Sequence, residues 1–249
     1  MNQRSGDEWK AARNQCVTGT DVGIIMGCNQ WVTPTKLLYQ KITGEEPNVS
    51  EYGKYLMDLG TKFEGSALGG FEFEEMCATG KSVTGFVPGM TPHLEYSWLT
   101  GTPDFIIDKW GEKCIVEIKT HWYPTAKEAM PIQCVEDMPP KHWCQVQTYM
   151  EIFNYEFAYL YSWTLENGST LFYVKRYKRC WEKSIFPQIQ HFRDVYERNM
   201  RNPSSGESIE GVLRWGRGQK QATIDIVMEA MRRSTVKVEF GHERPIIDL

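Results

Sequence analysis

The sequence predicts an α/β fold, a central sheet with helices packed against it. Helical periodicity dominates both ends of the chain. Between them lie apolar stretches with strand-like alternation, separated by Gly and Pro turns. The order helices, hairpin, helix, hairpin, helix fits one well-buried domain with appendages, for which 249 residues suffice. We place the main domain at 1–200 and a linker with a C-terminal extension at 201–249, the extension packing on that same domain.

Taken in order, Asp7 to Gly27 reads as two helices with a break at Thr18-Gly19-Thr20-Asp21, where Thr20 or Asp21 would cap the second. Pro34 to Lys41 is a third helix. Gly53 to Cys77 is a fourth, with Leu56, Leu59, Phe63 and Ala67 on one face and Glu64 beside that stripe. Lys81 to Val87 is a candidate strand ended by Pro88-Gly89. Tyr96 to Asp108 is another, broken at Gly101-Thr102-Pro103, and a turn at Lys109–Glu112 folds it onto Lys113 to Thr120. Pro124 to Pro140 is a long loop with room for one helical turn. Trp143 to Phe153 is a helix, with Val146, Met150 and Phe153 in register. Phe157 to Thr164 and Thr170 to Arg176 are strands around Glu166-Asn167-Gly168. Ser184 to Met200 is a helix, Arg201 to Gly206 a linker, and Gln219 to Arg233 a last helix.

Composition excludes several classes. Hydrophobic residues at 41% and charged residues at 24% are ordinary globular usage. No run of about 18 apolar residues exists, so no membrane span is expected. The polar start of the chain is unlike a secretory signal, and an intracellular site, cytoplasm or nucleus, is the expectation. Seven scattered cysteines, none in C-x-x-C spacing, read as free thiols rather than a metal-thiolate cluster. The net charge of −4 argues against a nucleic-acid partner only weakly, because clustered carboxylates at a metal site lower the pI while a basic groove elsewhere still holds phosphates.

The chemistry concentrates in Cys114-Ile115-Val116-Glu117-Ile118-Lys119. Strand alternation sends Cys114, Val116 and Ile118 to one face and Ile115, Glu117 and Lys119 to the other. Alone, Glu117 and Lys119 would read as a fraying strand with an ion pair. Asp104, thirteen residues earlier, heads the partner strand and comes close to Glu117 once the hairpin forms. Two adjacent carboxylates need a cation between them, and hard oxygen ligands select Mg²⁺ or Mn²⁺. The backbone carbonyl of Ile118 would add a third oxygen. Lys119 would position or deprotonate a metal-bound water, or neutralise charge at the reacting phosphate. Glu64 adds a further candidate carboxylate. Of Gln145 and Gln147, at most one faces the site, since residues two apart on a helix diverge.

These segments resemble the PD-(D/E)xK nuclease superfamily, and within it the lambda exonuclease and YqaJ-type viral recombinase family. The carriers are Gly101-Thr102-Pro103-Asp104, Glu117-Ile118-Lys119, Gln145 to Met150, Gly60-Thr61-Lys62-Phe63-Glu64 and the opening stretch Arg13 to Gly27, in the family's order over roughly residues 8–200. The resemblance implies a restriction-endonuclease-like core, with a central mixed β-sheet flanked by helices. It implies a two-metal site on Asp104 and Glu117 with Lys119 catalytic, completed by Glu64 and Gln145. It further implies 5′-to-3′ digestion of double-stranded DNA with free ends, and a 3′ strand handed to a single-strand annealing protein. A trimer around the DNA belongs to the same picture. Arg13 and Thr20 fall at the family's 5′-phosphate pocket, where an arginine fork and a helix N-terminus suit an anion. Asp21 would repel phosphate and is expected to cap the helix. The 124–140 loop and the tail after Pro203 have no counterpart in the resemblance; Trp122 and Tyr123 are candidate stacking residues there. A structure- or sequence-specific endonuclease, a nuclease that also attacks RNA, and a non-catalytic DNA-binding protein are the alternatives on this core.

Overall fold

The computed structural model describes residues 6–45, 48–122, 125, 127–201 and 217–249. The expected Arg201–Gly206 linker, apart from Arg201 itself, and Tyr123 lie outside the described residues.

Six strands form one mixed sheet in the order β2-β5-β6-β7-β8-β9. These are β2 (Gly85–Phe86), β5 (Phe105–Lys109), β6 (Glu112–Thr120), β7 (Phe157–Trp163), β8 (Ser169–Lys175) and β9 (Thr235–Val238). β6 and β7 run parallel; their neighbours pair antiparallel. A small second sheet joins β1 (Val17–Thr18), β4 (Leu99–Gly101) and β3 (Thr91–Pro92). The break at Gly101-Thr102-Pro103 is therefore where the chain leaves one sheet and enters the other. The β5–β6 turn holds Trp110 and Gly111 both at positive φ, 54° and 79°, the two-residue hairpin geometry that matches strand twist.

Helices cover both faces. α1 (Asp7–Gln15), α2 (Gly19–Ile25), α3 (Pro34–Thr43) and α4 (Glu51–Thr79) precede the large sheet's inner strands; α5 (Pro140–Phe153) precedes β7. A short helix α6 (Lys178–Cys180) and a π turn lead into α7 (Phe186–Arg201), and α8 (Arg217–Ser234) precedes β9. Local chemistry sets the ends. Thr33 and Ser50 cap α3 and α4 by accepting the N–H groups of Lys36 and Gly53, while Gly44 and Gly80 stop them in the left-handed conformation.

Two apolar layers result, one on each side of the sheet. Phe105, Ile107, Cys114, Val116 and Ile118 join Ala67 and Phe71 of α4 on one side. Ile106 and Ile115 join α2, α5, α7 and α8 on the other. The alternation expected along β6 is thus borne out, with Ile115 on the α5 side and Val116 and Ile118 on the α4 side.

Several expectations need correction. Lys81–Val87 supplies only the two-residue edge strand β2. At Gly85 a Cβ would sit 2.4 Å from the Ile106 carbonyl and 2.7 Å from the Phe105 ring, so tight packing limits what can extend there. The second helix begins at Gly19 with Thr18 as its N-cap, not at Thr20 or Asp21. The tail contributes α8 and also β9, which pairs with β8 and completes the sheet. The helix expected at Ser184–Met200 is reached through the π turn Trp181–Ile185.

Candidate active site

Asp104 lies one residue before β5, where the chain arrives from β4, and its Oδ2 accepts the Ile118 N–H at 2.7 Å. Ladder pairing of β5 with β6 runs from Lys109↔Glu112 to Phe105↔Val116, so Asp104 takes over where that ladder ends. Extending the register sets Ile118 opposite Pro103, which has no N–H to give. A strand residue's N–H and C=O point to the same neighbour, so the Ile118 carbonyl also faces the Asp104 side.

Glu117 projects from β6 to the opposite face from Val116 and Ile118, and is 2% exposed. Its Oε1 accepts Lys119 Nζ and Gln145 Nε2, each at 2.7 Å. Lys119 also donates to Gln145 Oε1 at 3.0 Å, closing a three-membered ring of hydrogen bonds. Burial alone would lower the Lys119 pKa, but Glu117, with Asp104 and Glu64, outweighs it and holds the group above the ordinary lysine value. Lys119 is therefore a cation near neutral pH, suited to orienting water and neutralising phosphate charge.

One cavity of about 290 Å³ gathers Glu64, Asp104, Glu117 and Gln145 with Trp9, Arg13, Thr18, Thr20, Thr61, Thr102 and Tyr149. Arg13, Thr20, Glu64, Asp104, Glu117 and Gln145 thus converge from α1, α2, α4, the β4–β5 link, β6 and α5, while Lys119 reaches the group through its hydrogen bonds to Glu117 and Gln145. Glu64 enters from α4 as expected, beside the helix face that packs on the sheet. Gln147 points elsewhere: its amide donates to the Lys175 carbonyl and accepts the Tyr177 N–H, each at 2.9 Å.

Arg13 sits on the last turn of α1, its guanidinium 5.1 Å from the Trp9 ring centroid. Asp21 acts as a cap, its Oδ2 accepting both the N–H and the hydroxyl of Thr18 at 2.8 and 2.9 Å. α2 spans only seven residues, too short for a strong helix dipole, and on this wall the Arg13 side chain and the exposed Thr20 line the cavity.

Tyr149 is a site residue that sequence reasoning left inside a motif without a role. Its hydroxyl accepts Gln145 Nε2 at 2.9 Å. Its ring lies between two glycines; a Cβ at Gly19 or Gly101 would come within 2.3 or 2.8 Å of it. Trp122, by contrast, is not a stacking residue. It is buried, 4.5 Å from the Phe63 ring and 6.4 Å from the Trp163 ring.

The donor set suits a hard divalent cation. Glu64, Asp104 and Glu117 line one cavity and offer oxygen ligands only. Among the described residues no group of three or more His, Cys, Asp or Glu side chains is arranged to hold a metal ion. Magnesium keeps several waters and takes only one or two protein carboxylates, so an open set of oxygen donors is what it would need. No helix among the described residues is long and apolar enough to cross a membrane.

Comparison with known proteins shows the family and the fold. Residues 8–156 match the family model of the YqaJ-like viral recombinase domain. The uncharacterized protein YqaJ of Bacillus subtilis (strain 168) is 32% identical over 168 residues, which is 68% of this chain and 49% of that protein. The chain thus spans about half the length of that relative. The alkaline exonuclease of Laribacter hongkongensis has the same fold, with a TM-score of 0.60 at 20% identity, covering 80% of this chain and 96% of that one. The structure of that enzyme with dAMP aligns with the same score at 18% identity. The core is restriction-endonuclease-like, and the chain belongs to the YqaJ-like viral recombinase family.

Proposed function

We propose that the protein is a magnesium-dependent exonuclease that degrades linear double-stranded DNA from its 5′ ends, exposing 3′ strands for an annealing protein. One observation carries the reading: the acidic group Glu64, Asp104 and Glu117 opens into the same cavity as Arg13 and Thr20. A cutting site and an end-phosphate site share one space.

Asp104, Glu117, Glu64 and the Ile118 carbonyl would hold the metal. When bound, Mg²⁺ polarises the scissile phosphate and makes hydroxide accessible near neutral pH. Glu117 and Gln145 fix the Lys119 ammonium, so its charge is in place before the phosphate arrives and needs no reorganisation as negative charge builds there. Gln145, itself tied to Tyr149, aligns Lys119 and Glu117 with each other. Arg13 offers a forked donor to a terminal phosphate, with Thr20 supplying a hydroxyl. The exonuclease crystallised with dAMP is a relative in fold that has taken a nucleotide, in keeping with a nucleic-acid substrate here.

The test compares 5′-phosphorylated linear, 5′-hydroxyl linear and closed circular duplex, in Mg²⁺ and in Ca²⁺. The expected pattern is Mg²⁺-dependent loss of the phosphorylated linear DNA, slower loss of the hydroxyl form and intact circles. Cutting of closed circles at a comparable rate would replace the exonuclease with an endonuclease. Binding without cleavage in Mg²⁺ would leave a DNA-binding protein.

A further inference from the structure

The wall that carries Arg13 and Thr20 is held from behind by a buried cation. Lys41, at the end of α3, has a side chain only 7% exposed. Its ammonium lies 2.9 Å from Asp21 Oδ2 and donates to the carbonyls of Cys16 at 2.7 Å and Arg13 at 3.3 Å. An ammonium has three N–H bonds, and this set uses all of them.

Each partner belongs to the same short stretch, residues 13–21. The Arg13 and Cys16 carbonyls lie at the C-terminal end of α1, where a cation is favoured; the Arg13 carbonyl also accepts the Cys16 N–H at 3.2 Å. Arg193 of α7 takes a third carbonyl there, that of Gln15, at 2.7 Å, with its guanidinium over the rings of Trp98 and Tyr196. Asp21 passes the constraint on, because the same Oδ2 that meets Lys41 accepts both donors of Thr18. One ammonium thus ties the last turn of α1, which carries Arg13, to the first turn of α2, which carries Thr20. Lys41 does not itself line the cavity.

We infer that Lys41 is a positioning residue for end recognition: it sets the spacing of Arg13 and Thr20 and so determines the preference for a 5′-phosphoryl end. This rests on the reading of those two residues as the end-phosphate contacts. A lysine that served stability alone would affect all DNA ends alike.

The experiment measures binding of fluorescent linear duplexes, 5′-phosphoryl or 5′-hydroxyl, in Ca²⁺, for wild type, Lys41→Met and the double variant Lys41→Met/Asp21→Asn, with thermal melts alongside. The single variant strands a buried carboxylate and risks unfolding. The double variant removes both charges and keeps an amide oxygen for Thr18, so it keeps the test decisive. Wild type should prefer the phosphoryl end. The folded double variant should lose about tenfold in affinity for that end, the scale of one misaligned charge-assisted contact, and less than about twofold for the hydroxyl end. An unchanged preference in the double variant, equal loss on both ends, or a wild type with no preference would each overturn the inference. Cleavage by wild type in Mg²⁺ is scored separately: end preference without cutting would overturn the nuclease reading while leaving the role of Lys41 supported.

Discussion

Two buried lysine–glutamate pairs among the described residues lie on opposite faces of the same sheet, and they make a useful contrast. Lys109 and Glu75 pair beneath the α4 layer, with side chains 12% and 9% exposed. Lys119 and Glu117 pair on the α5 side, at 18% and 3%. By burial they are alike. They differ in company: the Lys109 ammonium lies over the Trp110 ring, 5.6 Å from its centroid, whereas Glu117 shares a cavity with Asp104 and Glu64. An ion pair with two further carboxylates lining the same cavity is suited to meet a cation and a phosphate. One that lies against an aromatic ring and joins α4 to β5 is suited to hold the two together.

The sharpest way to break this contrast is to remove each lysine in turn. Lys119→Ala should slow cleavage of linear duplex by roughly 10²–10³-fold, the usual cost of one preorganised charge-stabilising donor. Lys109→Ala should leave the rate within about twofold and instead cost roughly 3 kcal/mol in urea unfolding, because Glu75 is left buried and unpaired. Kinetics and unfolding on both variants decide it. Should Lys109→Ala lose activity as deeply while staying folded, the two pairs would not have separate roles.

The next test uses metal linkage. Excess Mg²⁺ should stabilise the wild type, by about 2.7 kcal/mol at a hundred times its dissociation constant, and EDTA should remove both that gain and all cleavage. Asp104→Asn should abolish the Mg²⁺-dependent shift in melting temperature without lowering the metal-free value, since it relieves carboxylate repulsion while keeping an oxygen for the Ile118 N–H. A full Mg²⁺ shift in Asp104→Asn would remove Asp104 from the ligand set.

How much of this was legible in the sequence follows the range of the interactions. β6 announced itself because Cys114, Val116 and Ile118 alternate with Ile115, Glu117 and Lys119, a pattern local to one strand. Asp104 followed because a short hairpin fixes its register. Gln145 and Glu64 fell into place through helix geometry and family order. Lys41 carried no local signal: its partners lie 20 to 28 residues away in sequence and include two backbone carbonyls, which no residue pattern encodes. β9 was hidden because it follows α8 with no intervening breaker; Ser234, at the junction, is fixed by Trp143 Nε1 at 2.9 Å from another helix. Trp122 looked like a stacking residue because an aromatic in a loop has no periodicity to reveal that it is buried.

Tyr149 gives the smallest expected effect and the finest division between holding and cutting. Tyr149→Phe keeps the ring between Gly19 and Gly101 and removes only the hydroxyl that accepts Gln145 Nε2. Gln145 retains Glu117 and Lys119 as partners, so the loss is one neutral hydrogen bond, about 1 kcal/mol, or roughly a fivefold drop in kcat with KM unchanged. Gly19→Ala attacks the same residue from the packing side. A Cβ there would lie 2.3 Å from the ring, too close to absorb without moving α2 off α5. Because α2 also carries Thr20, Gly19→Ala should raise KM for 5′-phosphorylated ends as well as lower kcat. If the two variants shifted the same parameter by the same factor, Tyr149 would act only as a spacer between helices, and the alignment of Gln145 would rest on Glu117 and Lys119.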